Sequence, residues 1–254
     1  CNFLLIMGNQ QWHTGRVIRI ESAAAGTRRF FVQVNGMEAF HFKPGQFVTL
    51  DLPIHEKPNK RWRSYSIASW PDGTNVFELC IVLLEGGAGT RYLFNEVSVG
   101  HELHFMGPLG VFTLPEPIEK ELFFICTGTG IAPFRSMLHH ISMHNIPHRG
   151  IHLLFGTRRK ENLLYYEDMR HLTEIIPHFH YWPTLSREEW EGKTGYVHQI
   201  YEDILKPKIA EAGCAEECKV AFYLCGWKDM IDEAKKRIQE LGFNRKCIHQ
   251  ELYG

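Results

Sequence analysis

The sequence has no long hydrophobic run and no excess of charge of one sign. Residues 3–7 are apolar, but a membrane helix needs roughly 20 such residues, and neither a basic leader nor a cleavage site accompanies them. The formal net charge is -1, which favours neither nucleic acid nor an anionic membrane as a partner. We therefore expect no membrane span and no nucleic-acid partner, and we interpret residues 1–12 as an N-terminal tail.

Metal-binding motifs are also missing. The seven cysteines include one close pair, Cys214 and Cys218, and no second pair completes a zinc or iron–sulfur set. None of the 15 histidines stands in a His-Glu-x-x-His frame. Most cysteines lie in apolar, strand-like runs and their number is odd, which is typical of reduced thiols in a cytosolic protein. We predict no metal site and a cytoplasmic location.

What the sequence does contain is two halves with different patterns. In residues 15–114, short runs rich in β-branched and aromatic residues are separated by glycine, proline, asparagine or aspartate, and one short helix is predicted at 90–97. The predicted strands of this half include 16–20, 29–34, 46–50, 76–83 and 102–106. Several short strands at this spacing predict a small antiparallel barrel or sandwich.

The second half alternates between buried strands and helices. Strands are predicted at 122–126, 151–155, 178–182, 220–224 and 246–252, and helices at 133–144, 164–173, 196–205 and 228–241. This alternation implies a parallel sheet covered on both faces. A chain of 254 residues suffices for two domains. We predict an all-β antiparallel barrel over residues 13–115 and an α/β doubly wound parallel sheet over residues 120–254.

The segment Arg63-Ser64-Tyr65-Ser66 carries chemistry. Alternate residues of a strand share a face, so Arg63 and Tyr65 are expected to point the same way. A guanidinium binds phosphate with a planar fork of donors, and a tyrosine offers a flat apolar face with a polar tip. Together they suit a flavin nucleotide, although an edge strand with a solvated arginine and a half-buried tyrosine fits these residues equally well.

Glycine-rich turns precede two of the predicted helices. Residues 127–133, Thr-Gly-Thr-Gly-Ile-Ala-Pro, follow the first buried strand, and a helix start of this kind suits a phosphate. Pro133 stands in place of the third glycine of the usual G-x-G-x-x-G pattern and fits the first helical turn. Residues 86–90 form a second such turn, in which Thr90 either caps the helix or contacts a phosphate. Ordinary glycine turns remain the alternative for both.

These elements, in this order, resemble the ferredoxin–NADP(+) reductase family of flavoenzymes, including its bacterial ferredoxin and flavodoxin reductases. The resemblance runs from about residue 13 to the end of the chain. It rests on six elements in the family's sequence order: Arg63-Ser64-Tyr65-Ser66, Gly89-Thr90, Gly107-Pro108-Leu109-Gly110, residues 127–133, Cys225-Gly226 and Glu251-Leu252-Tyr253.

For the β half, the resemblance implies a barrel that binds FAD. Arg63 would pair with the flavin pyrophosphate, and Tyr65 would pack on the isoalloxazine or reach the ribityl chain. Ser66 would form a hydrogen bond near flavin N5, where hydride arrives. Gly89 and Thr90 would hold the pyrophosphate at the short helix. FMN remains an alternative, because no side chain is diagnostic for the adenine end.

For the α/β half, the resemblance implies a domain that binds NADP(H), with NAD(H) as the alternative. The residues expected at its pyrophosphate and helix start are Gly128, Thr129, Gly130 and Pro133. Cys225 and Gly226 end a buried strand at the same crevice, because ligands of such sheets bind at the carboxyl ends of strands. The residues expected around the reacting rings are Ser66, Cys225, Glu251 and Tyr253, with Tyr253 stacked on the flavin.

Basic residues favour the phosphorylated cofactor. Arg158 follows the second buried strand, and Ser186 and Arg187 follow the third, at strand ends where an adenosine 2′-phosphate would lie. Tyr196 departs from the bacterial branch, which often carries a further arginine there. A solvated basic loop is the alternative, but we expect NADPH to be preferred.

The implied function is electron transfer from NAD(P)H through FAD to a separate one-electron carrier. The carrier would be a ferredoxin, a flavodoxin or an oxygenase component. The chain has no Cys-x4-Cys-x2-Cys run, so no plant-type ferredoxin module is present in this sequence. The alternatives are a free-flavin or quinone reductase and an electron-relay flavin subunit of a larger complex.

Overall fold

The computed structural model describes residues 11–253, except for the side chain of Tyr253. Most of the predicted tail at residues 1–12 therefore lies outside the described residues, and the first strand already begins at Trp12. The chain divides into two compact units, with the division between Thr113 and Leu114. Among the described residues, no helix is long and apolar enough to cross a membrane, and no cluster of metal-ligating side chains occurs.

The first unit is an antiparallel barrel, as predicted. Its elements are β1 (Trp12–Ala24), β2 (Thr27–Val34), β3 (Phe47–Asp51), β4 (Trp62–Ser66), β5 (Val76–Val82), α1 (Ala88–Asn95) and β6 (Glu102–Leu109). The strand order is β4-β3-β6-β1-β2-β5. A bridge between Ile67 and Leu79, next to a hydrogen bond of 2.8 Å from Ala68 N to Glu78 O, joins the two edges of the sheet.

Aromatic side chains fill the barrel. Phe40, Phe77 and Phe105 are buried, and their ring centroids lie 5.1–5.8 Å apart. Helix α1 adds the fully buried Leu93 to the same cluster. Inward residues alternate with outward ones along each strand. The packing of this core therefore determines which side chains of β4 point toward the barrel interior and helix α1.

The second unit is a doubly wound α/β sheet, as predicted. Its elements are β7 (Glu121–Thr127), α2 (Ala132–His144), β8 (Ile151–Thr157), α3 (Tyr166–Ile175), β9 (Phe179–Leu185), β10 (Lys193–Thr194), α4 (Val197–Ala212), β11 (Val220–Trp227), α5 (Lys228–Glu240) and β12 (Ile248–Tyr253). The six strands are parallel, in the order β10-β9-β8-β7-β11-β12. The chain therefore leaves β7 toward β8 on one side and returns to β11 on the other, which creates a switch point between β7 and β11.

Helices cover both faces of this sheet. Phe123 of β7 belongs to a buried cluster with residues of α4 and α5, whereas Phe124 stacks on Phe134 of α2 at 4.7 Å. Helix α4 continues seven residues beyond its predicted end at residue 205, although Pro207 lies inside it. Leu205 and Ile209 pack into the cluster on either side of the proline, so tertiary packing offsets the lost helical hydrogen bond.

Candidate cofactor sites

Strand β4 presents Arg63 and Tyr65 on one face. Arg63 lies opposite Leu50 and Tyr65 opposite Val48 in the pairing with β3, and both side chains are partly buried. Burial raises the pKa of Tyr65 to about 12, although the nearby Arg63 charge opposes this shift. Tyr65 is therefore a neutral phenol near neutral pH, with an apolar ring and a hydroxyl that can donate.

Arg63 lies across the start of α1. A β-carbon on Gly89 would lie 2.9 Å from Cγ of Arg63 and 3.3 Å from its Nε. The guanidinium donates to the carbonyl oxygens of Lys60 and Trp62, at 3.1 and 2.7 Å. The backbone amides of residues 88–90 make no hydrogen bond within the helix, because the first such bond runs from the Arg91 amide to the Gly87 carbonyl. The positively charged guanidinium and these backbone amides therefore lie close together, an arrangement that suits a phosphate group.

Thr90 uses its hydroxyl inside the protein. Its Oγ1 accepts a hydrogen bond from the Leu84 amide at 3.1 Å and donates to the carbonyl of Gly87 at 3.2 Å. The hydroxyl therefore ties the glycine loop to the helix start, and the Thr90 backbone amide is the group left to contact a phosphate. Ser66, the last residue of β4, is buried and pairs with Phe47 of β3.

In the second unit, the glycine turn leads directly from β7 into α2. A short 3-10 turn, Gly128–Ile131, follows Thr127, and α2 begins at Ala132 with Pro133 in its first turn. Gly128 has a φ of +54°, in the left-handed region that favours glycine. Thr129 lies between the two glycines and is partly buried. The turn lies at the switch point, where ligands of such sheets bind.

The end of β11 packs against this turn, backbone on backbone. A β-carbon on Gly130 would lie 2.3 Å from the carbonyl oxygen of Cys225, so no side chain fits there. Gly226 has a φ of +140°, and a β-carbon there would lie 2.6 Å from Oγ1 of Thr127. The glycines on both sides therefore allow the two turns to touch.

Cys225 lies near the carboxyl end of β11, in a row of paired residues that runs across three neighbouring strands. It is fully buried and pairs with Cys126 of β7 and with Glu251 of β12. Burial, together with the neighbouring Cys225, raises the pKa of the Cys126 thiol well above its usual range. The backbone of Tyr253 pairs with Trp227, while the Tyr253 side chain lies outside the described residues.

Trp227 is a residue that sequence reasoning missed. It directly follows Cys225-Gly226, is 50% exposed, and its backbone amide lies 3.5 Å from Oγ1 of Thr127. Its indole nitrogen lies 3.8 Å from the position that a β-carbon on Gly128 would occupy. The sequence feature that could have identified it is a bulky aromatic residue directly after a strand-ending glycine, at a carboxyl end of the sheet.

The basic residues after β8 and β9 lie side by side. The Ser186 amide donates to the carbonyl of Thr157 at 2.9 Å, and the Arg187 amide donates to that of Arg158 at 3.0 Å. Pairing of the two strands thus continues past their ends and places Arg158 beside Arg187, both exposed. Over residues 11–253, neither arginine forms an ion pair, whereas Lys160 pairs with Glu191 at 2.7 Å.

These two units define a class of protein. A closed antiparallel barrel with a glycine turn at a helix start, followed by a doubly wound sheet with a glycine turn at its switch point, is typical of a flavin- and nicotinamide-dependent oxidoreductase. A family model described as an oxidoreductase FAD-binding domain matches residues 14–114. A second, described as an oxidoreductase NAD-binding domain, matches residues 124–236.

Individual relatives narrow the class. The chain is 32% identical over 241 residues to ferredoxin–NADP reductase B of Sorangium cellulosum, covering 94% of this chain and 96% of that relative. It is 34% identical over 215 residues to the electron transfer component of anthranilate 1,2-dioxygenase from Acinetobacter baylyi, covering 84% of this chain and 58% of that relative. A ferredoxin NADP+ reductase from Neisseria gonorrhoeae, solved with bound FAD and NADP, shares the fold with a TM-score of 0.77 and 23% identity, covering 96% of this chain and 99% of that one.

The chain belongs to the ferredoxin–NADP reductase family. The predictions of the family, of the two-part fold and of an NAD(P)H-dependent flavin oxidoreductase are confirmed. The prediction of FAD and NADP(H) as cofactors is confirmed at the level of the family. The roles of individual site residues remain predictions.

Proposed function

We propose that this protein oxidises NADPH and passes the electrons through FAD, one at a time, to a separate ferredoxin, flavodoxin or oxygenase component. The observation that carries this proposal is the similarity to a ferredoxin–NADP reductase over 96% of that relative's length. The electron transfer component of a dioxygenase is a further relative, of which this chain spans 58%, and it supports an oxygenase component as one possible acceptor.

The residues of the first unit fit a flavin nucleotide. Gly89 leaves room for Arg63 at the first turn of α1, so the guanidinium and the turn amides can hold one pyrophosphate. Tyr65 can pack its ring on the flavin and donate its hydroxyl hydrogen, since its raised pKa keeps it neutral. Ser66 would contact the reactive edge of the ring. When bound, the flavin supplies an acceptor for hydride and a donor of single electrons.

The residues of the second unit fit a nicotinamide dinucleotide. The open, left-handed turn at Gly128 would hold the pyrophosphate together with Thr129, Gly130 and the helix start at Pro133. Cys225 and Gly226 would line the place of the nicotinamide, with Glu251 in the next strand. Tyr253 would stack on the flavin ring until the nicotinamide takes its place.

The preference for NADPH is proposed to arise from the neighbouring Arg158 and Arg187, with Ser186 between the two strand ends. A 2′-phosphate dianion would receive charge-assisted hydrogen bonds from groups that lie side by side. We expect Arg187→Ala to lower kcat/KM for NADPH about tenfold and to leave that for NADH nearly unchanged. Arg149→Ala is the control, because Arg149 is exposed just before β8, at the opposite end of that strand. A wild-type kcat/KM that is higher for NADH than for NADPH would contradict this preference.

Spectroscopy tests the function as a whole. The purified protein is expected to be yellow, to release FAD rather than FMN on denaturation, and to bleach under anaerobic NADPH. It should then reduce an added [2Fe–2S] ferredoxin or a flavodoxin. A colourless protein that binds no added flavin contradicts the entire proposal. Rapid reduction of free FMN without a bound flavin would instead indicate a free-flavin reductase.

A further inference from the structure

Trp227 occupies an unusual place at the switch point of the second unit. It is the last residue of β11 and the residue directly before α5. Its backbone is held from two sides, by pairing with Tyr253 on β12 and by the Thr127 hydroxyl 3.5 Å from its amide. The residue is nevertheless 50% exposed, at the edge where the dinucleotide is proposed to bind.

The indole nitrogen borders the open space above Gly128. Apart from Gly128 and its two chain neighbours, Nε1 of Trp227 is the only described atom within 4 Å of the position that a β-carbon on Gly128 would take, at 3.8 Å. An indole N–H is a donor with no acceptor capacity. Within the described part of the chain, no hydrogen bond satisfies this N–H. An anion seated over the glycine turn would therefore lie close to this donor.

The neighbouring glycines make this placement possible. Gly226 turns the chain at a φ of +140°, which only glycine adopts readily, immediately before Trp227. The close packing of Gly130 on Cys225 brings the end of β11 against the glycine turn. The two features together position the Trp227 ring as one wall of the turn.

We propose that Trp227 binds the nicotinamide dinucleotide, with its indole N–H donating a hydrogen bond to the pyrophosphate above Gly128. This inference rests on the proposed binding of a dinucleotide by the second unit. Trp227 would add a directional donor to the backbone amides of the turn. It would act at the pyrophosphate and not at the 2′-phosphate, which lies at the ends of β8 and β9 in the proposed arrangement.

Binding measurements on the FAD-loaded protein test this role without turnover. Isothermal titration calorimetry gives the Kd of oxidised NADP+ and of 2′-AMP, which has the 2′-phosphate but no pyrophosphate. Trp227→Phe keeps an aromatic ring and removes the N–H, so it should raise the Kd of NADP+ about tenfold. The same variant should leave the Kd of 2′-AMP unchanged. Trp12→Phe is the matched control, because Trp12 is 41% exposed on the barrel, and it should change neither Kd.

The outcomes separate this inference from the proposed function. An unchanged Kd of NADP+ in Trp227→Phe overturns the hydrogen bond, even if Trp227→Ala weakens binding through loss of the ring. An equal rise in the Kd of both ligands also overturns it, because the effect then does not depend on the pyrophosphate. If wild-type protein binds no dinucleotide, the proposed function itself fails, and this inference fails with it.

Discussion

Arg63 lies so close to Gly89 that a β-carbon on the glycine would be 2.9 Å from Cγ of the arginine. Real side chains do not pack at that distance, so the Arg63 side chain can pass this close to residue 89 only because that residue is glycine. The side chain thereby brings its guanidinium to the first turn of α1, where the backbone amides make no hydrogen bond within the helix. Two residues that lie 26 positions apart in the sequence contribute to one candidate phosphate site.

Gly89→Ala should weaken FAD binding without weakening the helix. Alanine is the better helix former by about 1 kcal/mol, so α1 itself should gain stability. The new methyl group displaces Arg63, however, and the protein should lose FAD during purification. The ratio of flavin to protein absorbance and the Kd for added FAD measure this effect. Gly150→Ala is the control, because its β-carbon would meet nothing nearer than 3.4 Å. Full FAD occupancy in Gly89→Ala would show that FAD binding does not depend on this position of the Arg63 side chain.

Two glycines of the same turn should differ sharply in their tolerance of alanine. A β-carbon on Gly130 would lie 2.3 Å from backbone oxygen of Cys225, so Gly130→Ala forces the two turns apart and should cost about 3 kcal/mol. A β-carbon on Gly128 would make only an ordinary contact with Nε1 of Trp227 at 3.8 Å, so alanine there costs only about 1–2 kcal/mol for the left-handed backbone. Urea unfolding midpoints followed by circular dichroism should rank Gly130→Ala well below Gly128→Ala. Equal midpoints would mean that the backbones separate easily.

Periodicity and glycine placement predicted much of this architecture. The alternation in Arg63-Ser64-Tyr65 was enough to place the arginine and the tyrosine on one face, because side chains on a strand have a period of two. The continuous apolar run of β7 and the glycine turn after it were enough to predict a buried strand that leads through a tight turn into a helix. Such signals are local, and local geometry is what a sequence pattern encodes.

Contacts between distant segments could not be predicted in the same way. The hydroxyl of Thr90 was expected either to cap its helix or to contact a phosphate. It instead accepts a hydrogen bond from the Leu84 amide in the preceding loop. The place of Trp227 beside Gly128 depends on the packing of two turns about 100 residues apart. Likewise, α4 continues past Pro207 because of burial, which proline propensity alone does not reveal.

Tyr253→Ser should change how the nicotinamide reaches the flavin. The backbone of Tyr253 pairs with Trp227 at the end of β12. Its ring is proposed to stack on the flavin. A serine leaves the flavin face open, so the nicotinamide ring should bind faster or more tightly. Charge-transfer absorbance with NADP+ and steady-state kinetics with NADPH measure this. If neither differs from wild type, the stacking role of Tyr253 is wrong.

Glu121 should make stability depend on acid pH. It accepts a hydrogen bond from Nε2 of His152 at 2.9 Å and from Nζ of Lys208 at 2.6 Å. Trp182 donates its indole N–H to the other ring nitrogen of His152, which therefore accepts and leaves the proton on Nε2. The His152 and Lys208 contacts lower the pKa of Glu121 to about 2, against the opposing effect of burial.

Because this folded-state pKa lies below the unfolded value, the stabilisation is complete above about pH 4.5 and is lost as the pH falls toward about 2. Since the carboxylate side chain is only 20% exposed, Glu121→Gln should cost about 2 kcal/mol near neutral pH. In urea unfolding, the difference between wild type and Glu121→Gln should shrink steadily on acidification. Glu240→Gln, which alters an exposed pair with Lys236 on α5, should show almost no difference at any pH. A constant difference for Glu121→Gln down to acid pH would mean that lost packing, and not lost charge, determines its effect.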